Sequence, residues 1–426
     1  MPAELDGDEL DEEVIIQQLE AEGGEAMFED MEFPASESSL YKDANRIPEY
    51  AEGAPRDTYG PHPWLRPHEF CQDPDYFKNG ITSGDVIQGT LGDCWFLGAL
   101  AAVATHPNQL IENLFGSELE DFKKYGVFTC RFYKNGEWKE VITDTRVPHG
   151  GGEAGSPWAN PIYGHCRDPS EIWLPFLEKA YAKMHGTYEH MNGGSVAEAL
   201  VDLTGGSSEK MLLTDPKIQA LVENGQLWQK LKKYMEWGYL VCCSMSIQGG
   251  RFEEEGAAGI LTNHAYSVLY IKEVGPLKFL KVRNPWGRAE WRGDWSDNDS
   301  KWQDHPEVEA AMQDDPDAMF KIDSEDGTFW MVWEDFVIHF NKIYVCRIFE
   351  DELFQQYAVK GSWKGKTAAG AHKQIIDRDG DDAKTGGEAV DRKSGNVRMD
   401  GDAFWFNNPQ YRITVNEKTN VYISLM

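Results

Sequence analysis

Between Thr90 and His106 the run Cys94-Trp95-Phe96-Leu97-Gly98-Ala99-Leu100-Ala101-Ala102-Val103-Ala104 is apolar on every side. Such a run predicts a largely buried helix, with Asp93 near its N-terminal end and Pro107 stopping it. A second helix is expected from Glu171 to Met184. Alternating Val, Phe, Tyr and Trp positions at 127–147, 265–283 and 329–350 predict strands. Gly205-Gly206 reads as a hinge between a helix-richer first half and a strand-richer second half. After about Asp351 the strand-and-turn pattern resumes, interrupted by a charged, Gly-rich loop at 376–402. Residues 1–32 carry 13 acids and no Lys or Arg, which predicts a solvated tail. Within it, Val14-Ile15-Ile16…Leu19 is compatible with one short amphipathic helix. From about Phe28 to Pro67 the mixed composition suits a segment wrapped over a globular body.

The 426 residues are enough for about two to three domains. With 72 acidic against 41 basic residues, the net charge is −31. Such a surface repels phosphate backbones, which argues against generic nucleic-acid or anionic-membrane binding and suits the collection of divalent cations. No apolar run approaches the roughly 20 residues of a membrane helix, so no integral membrane segment is expected. No secretory signal opens the chain, and a cytoplasmic location is the expectation. The 7 cysteines form no CxxC pair and read singly as small buried hydrophobes, Cys242-Cys243 among them. His165-Cys166 and His68…Cys71 lack the further ligands of a zinc site.

Cys94 is the exception among the cysteines. At a helix N-terminus, unpaired N–H groups and a partial positive charge favour the thiolate. It lies in Gln88-Gly89-Thr90-Leu91-Gly92-Asp93-Cys94-Trp95, where the Gln88 amide and the Cys94 N–H can stabilise a tetrahedral oxyanion. Thiol catalysis also needs a His to share the proton and a third group to orient its ring. Candidates are His264, in Asn263-His264-Ala265-Tyr266-Ser267, and Asn284, in Arg283-Asn284-Pro285-Trp286-Gly287. Trp286 is placed to cover the His–Asn bond from water. Each residue alone has a bland reading, a core histidine or a turn before proline. The order Gln, Cys, His, Asn makes the set specific.

These stretches resemble the catalytic core of the calpain family of cysteine proteases. So do Leu177-Glu178-Lys179-Ala180-Tyr181-Ala182-Lys183, Asn192-Gly193-Gly194 and Thr204-Gly205-Gly206, with Phe28-Glu29-Asp30 and Trp64-Leu65-Arg66-Pro67 upstream. The resemblance covers about residues 28–426. It implies an α+β fold, a papain-like two-subdomain cysteine protease core followed by a partial all-β calpain-type sandwich. The expected division is an acidic tail at 1–27, subdomain one at 28–204 with Cys94, subdomain two at 205–350 with His264 and Asn284, and the partial sandwich at 351–426. The sandwich resemblance rests on Gly361-Ser362-Trp363 and Phe404-Trp405…Tyr411. It stops about halfway through such a domain, as in a truncated sequence.

The resemblance also implies Ca2+. A first site would use Asp85, Glu171 and carbonyls near Lys78 and Gly80. A second would use Glu290, Asp297, Asp326 and a carbonyl near Ser324. Calcium sites mix carboxylates with carbonyls in this way. Two departures weaken the second site: Thr328 stands where the family often has Glu, and Ser83 where it often has the Arg that pairs with that Glu. Weaker coupling and a Hill coefficient near one are expected. No EF-hand is expected, because Asp377-Arg378-Asp379-Gly380-Asp381-Asp382 lacks the loop's glycine at position six and its closing Glu. The implied activity is a calcium-dependent intracellular cysteine endopeptidase making limited cuts in protein substrates. The competing class is a non-catalytic calpain-like scaffold. Acyl transfer to an amine would favour an acid over Asn284 as orienter.

Overall fold

The computed structural model describes residues 11–43, 45, 62–78, 80–150, 160–247, 253–322 and 326–349, and short pieces of the C-terminal part at 357, 359–362, 411–415, 419 and 421–423. The chain divides into two units, 1–353 and 354–426. In the second unit the described residues form no helix or strand, and nearly all of the expected sandwich, with Asp377–Asp382, lies outside them.

The N-terminal segment departs from the expected solvated tail. Residues Glu12–Ala21 form helix α1, started by the Asp11 side chain, which accepts from the Glu13 N–H at 3.1 Å. Ile15 is buried with Tyr125 and Val127. Glu12 is drawn in by Ser117 and Thr129, whose hydroxyls donate to its carboxylate. The amphipathic stretch Val14-Ile15-Ile16…Leu19 lies in this helix, which docks through Ile15 rather than remaining solvated. Residues 28–41 follow the expected wrap, with Phe33 and Leu40 in the main core.

Helix α2 (Cys94–Val103) has Asp93 as its N-cap residue, and all ten of its residues are buried. The hairpin β1 (Val127–Lys134) and β2 (Glu137–Asp144) turns at Asn135-Gly136, both with positive φ, a pairing that suits tight hairpin turns. Helix α3 (Trp173–His185) packs Trp173, Phe176, Leu177 and Tyr181 into the same core. Its Lys179, also buried, donates to the Asp144 carboxylate at 2.7 Å. Helix α4 (Val196–Thr204) ends at Gly205, whose φ of 67° is the left-handed cap.

Among the described residues, the second half is built around a six-stranded antiparallel sheet. Its strands are β3 (Ser207–Leu212), β4 (Leu240–Met245), β5 (His264–Val274), β6 (Leu277–Arg283), β7 (Thr328–Val332) and β8 (Lys342–Arg347), in the order β7-β6-β5-β4-β8-β3. Alternation along β4 sends Cys242 into the core shared with α2 and Cys243 into the opposite core, beneath helix α5 (Gln226–Glu236). The α2 helix therefore lies on one face of the sheet. Ser267 on β5 donates to the Gly98 carbonyl of α2 at 2.7 Å. All seven cysteines are free. No described helix is long and apolar enough to cross a membrane.

Candidate active site

Cys94 is the first residue of α2, and its thiol lies at the floor of a cleft of about 490 Å³. His264 begins β5 directly opposite, paired to Met245 of β4. Asn284 follows the end of β6 in the loop that carries Trp286. Helix and sheet each present their part of the site at an element terminus, where a side chain can reach the cleft. The structure brings Gln88, Cys94 and His264 into this cleft and sets Asn284 behind His264.

Asn284 is fully buried, and its contacts fix its orientation. Its amide Nδ2 donates to the carbonyls of Arg288 and Ala289, each at 2.8 Å. Its Oδ1 must then be the acceptor facing His264 Nε2 at 2.7 Å, and it also accepts from the Trp286 N–H at 3.0 Å. The His264 proton is thereby held on Nε2, which leaves Nδ1 for the cleft that Cys94 also lines. The Trp286 ring packs edge-on to the imidazole, centroids 5.4 Å apart.

Between thiol and imidazole sits a residue the sequence did not single out. Glu253 Oε1 lies 3.0 Å from His264 Nδ1 and 3.4 Å from Gln88 Nε2, while Oε2 accepts from Trp286 Nε1 at 2.9 Å. Ligand atoms of Cys94, Glu253 and His264 all lie within 4.8 Å of one another. Burial works to raise the Glu253 carboxyl, but His264, Cys94 and Gln88 outweigh it and hold it below the usual range. Burial first, then Glu253, pushes the Cys94 thiol well up. In this arrangement the cysteine is a neutral thiol. Nothing in the sequence marked Glu253, one acid in a chain with 72.

Behind the nucleophile lies a second unflagged feature. Asp93 and Glu178 are buried neighbouring carboxyls, and burial raises both, Glu178 to about 7 and Asp93 well above its ordinary value with Glu178 adding to the rise. Glu178 Oε1 accepts from the Gly164 N–H at 2.8 Å. Gly194 shapes the near wall, because a Cβ there would sit 2.2 Å from the Trp95 ring.

The residues expected to bind calcium divide into two cases. Glu171 is 3% exposed, with Oε1 accepting from the Lys78 N–H at 3.1 Å. Its carboxyl is pushed up to about 7 by burial and then by Asp85 and Asp168. Asp85 Oδ2 accepts from the Thr82 N–H and hydroxyl at 2.6 and 2.9 Å. Gly80 holds a positive φ of 85° in the adjoining turn. Carboxylates together with backbone carbonyls are the kind of oxygen ligands calcium takes. Among the described residues, neither set brings three His, Cys, Asp or Glu ligand atoms together, and Ser324 of the second lies outside those residues. Glu290 Oε1 accepts from Gly327 N–H and Asp326 Oδ1 from Thr328 N–H, each at 2.7 Å.

Near Ser83 and Thr328, arginine side chains join remote segments through backbone carbonyls. Arg283, fully buried, donates to the carbonyls of Val86 (2.8 Å) and Gly84 (3.2 Å) on one side and of Asp326 (2.6 Å) on the other. Arg167 likewise joins Gly84 and Asp326.

A model of the family described as calpain family cysteine protease matches residues 28–347. The chain is 34% identical to the calpain-type cysteine protease DEK1 of Zea mays over 406 residues, covering 94% of this chain and 16% of the relative. It is 34% identical to Calpain-A of Drosophila melanogaster, covering 95% of this chain and 44% of that protein. Against the calpain-2 catalytic subunit of Mus musculus the identity is also 34%, covering 81% of this chain and 47% of the relative. The chain thus spans less than half the length of these relatives.

Proposed function

Since the chain belongs to the calpain family of cysteine proteases, we propose that it is a calcium-regulated cysteine endopeptidase making limited cuts in protein substrates. The observation that carries this reading is the Asn284–His264 bond. It fixes the ring so that Nδ1 is left for the cleft that a cysteine at a helix start also lines.

In the reaction, Cys94 Sγ attacks the scissile carbonyl carbon and its proton passes to His264 Nδ1. The carbonyl oxygen takes the electron pair as an oxyanion, stabilised by the Cys94 N–H and Gln88 Nε2. His264 then protonates the leaving amine as the C–N bond breaks, leaving a thioester on Cys94. A water molecule, deprotonated by His264, attacks the thioester and frees the acid product and the thiol. Asn284 holds the ring tautomer throughout. For this to begin, the Glu253 carboxylate must give up its place beside His264 Nδ1, because the thiolate needs the same partner. Asp85 and Glu171, with carbonyls near Lys78 and Gly80, are the groups to hold calcium. When bound, calcium would supply positive charge between these carboxylates.

The test is proteolysis of an unfolded protein substrate across a calcium titration, with Cys94→Ser as control. Calcium-dependent cleavage that falls at least 10³-fold in the variant is expected, because a serine hydroxyl has no comparable access to its anion. Residual activity within tenfold of wild type would overturn the mechanism, and full activity in chelator would overturn the regulation.

A further inference from the structure

Cys94, Glu253 and His264 supply three chemically different metal ligands: a thiol sulfur, a carboxylate oxygen and an imidazole nitrogen. All three are turned into one pocket, with ligand atoms within 4.8 Å of one another. In a tetrahedral zinc site, with Zn–S near 2.3 Å and Zn–N or Zn–O near 2.0–2.1 Å, adjacent ligand atoms lie roughly 3.2–3.7 Å apart. The three groups need only small adjustments to reach that spacing. Glu253 Oε1 and His264 Nδ1 are already 3.0 Å apart, yet Nδ1 lacks an aligned hydrogen bond. Two such atoms, close but misdirected toward each other, are disposed to share a third atom.

The surroundings are those of a built site. The nitrogen of His264 away from the pocket, Nε2, donates to Asn284 Oδ1 at 2.7 Å, which fixes the tautomer with Nδ1 free to ligate. The Glu253 oxygen away from the imidazole, Oε2, accepts from Trp286 Nε1 at 2.9 Å. Outer hydrogen bonds of this kind orient metal ligands and raise their basicity. The cleft beside Cys94 leaves room for water as a fourth ligand. The mixture of sulfur, nitrogen and one oxygen suits zinc rather than calcium, which takes oxygen ligands in larger number.

We propose that Cys94, Glu253 and His264 form an inhibitory zinc site, in which the metal takes the nucleophile and the base out of use together. Cys94 binds as thiolate and releases its proton to solvent. Glu253 distinguishes the site from a bare Cys–His pair, which offers only two ligands. The inference uses the same cleft as the proposed peptidase but not its turnover, and it is tested by binding as well as by inhibition.

The experiment uses the full chain and Zn2+ and Co2+ as probes. Co2+ should give a thiolate-to-metal charge-transfer band that is absent in Cys94→Ser and is displaced by one equivalent of Zn2+. Zn2+ should protect Cys94 from iodoacetamide. Loss of even an outer-shell partner costs a metal site about 10- to 100-fold, so Glu253→Ala should weaken Zn2+ binding by about 100-fold or more. Glu253→Gln, which keeps the shape but loses the anionic ligand, should weaken it as well. Where peptidase activity is measurable, the zinc inhibition constant of each variant should rise in parallel. Equal zinc affinity in wild type and both Glu253 variants would overturn the proposal, as would a Co2+ spectrum without the sulfur band. A protein that binds zinc as described but cleaves nothing would leave the site standing and sink the peptidase reading alone.

Discussion

The two walls of the cleft use their polar atoms differently. On the sheet side, Asn284 satisfies both amide hydrogens and its oxygen within the protein, and His264 Nε2 is held by that oxygen. On the helix side, Cys94 faces a carboxylate, and Gln88 directs Nε2 mainly to the Leu91 carbonyl at 2.8 Å. Gln88 Oε1 and both Asp93 oxygens have no aligned hydrogen bond. The rear of the sheet wall, Asn284 with His264 Nε2, is fully paired, whereas His264 Nδ1 and the helix wall must exchange partners before the site can act. A buried network with every member satisfied is rigid, and one with open members is where rearrangement costs least.

The contrast can be broken by mutation. Asn284→Ala removes the group that fixes the tautomer, so kcat/KM should fall roughly 10²–10⁴-fold with thermal stability changed far less. A loss below threefold would mean that the sheet wall does not depend on that bond. Gln88→Ala removes one oxyanion donor and should lower kcat by about 10²–10³-fold while KM stays nearly constant. An effect confined to KM would assign Gln88 to substrate binding instead.

The smallest effect concerns the candidate calcium residues. The Glu171 carboxyl, raised to about 7 in the fold, favours the folded state most at pH below its ordinary value of 4.5. That contribution is lost as pH rises through 7, so at pH 8 the wild type carries the full cost of a buried charge beside Asp85. Glu171→Gln should therefore stabilise the protein by roughly 1–2 kcal/mol at pH 8 in chelator and change little at pH 4. Denaturant titrations at the two pH values check this. Calcium should stabilise wild type at pH 8 and leave the variant almost unaffected.

Much of the site was legible because its chemistry is tied to element ends. The apolar run from Cys94 marked a buried helix, and the strand pattern after His264 marked the opposing edge. The hairpin at Asn135-Gly136 lies within the stretch expected as strands. What stayed hidden depends on three-dimensional approach. Glu253 enters the cleft from the segment just before strand-like Glu254-Glu255, which pairs with Leu261-Thr262 in a short ribbon. No periodicity distinguishes it from other surface acids. Arg283 reads as part of the Arg-Asn-Pro-Trp-Gly motif, but its guanidinium acts on carbonyls of remote segments. That the Glu12–Ala21 helix docks instead of staying solvated depends on buried Ile15 and on hydroxyl donors from Ser117 and Thr129, partners that a local reading of the tail does not contain.

The central claim is that His264 serves one anion at a time, the Glu253 carboxylate or the Cys94 thiolate. The most direct test is the rate of Cys94 alkylation by iodoacetamide as a function of pH, in wild type, Glu253→Ala and Glu253→Ala/His264→Ala. Freed of the carboxylate, Cys94 in the single variant should pair with His264 and react at least tenfold faster than wild type at pH 6, with reactivity extending well below an ordinary thiol's pKa of about 8.5. The double variant should lose that low-pH reactivity and follow an unassisted thiol. Identical pH profiles in all three proteins would contradict the account.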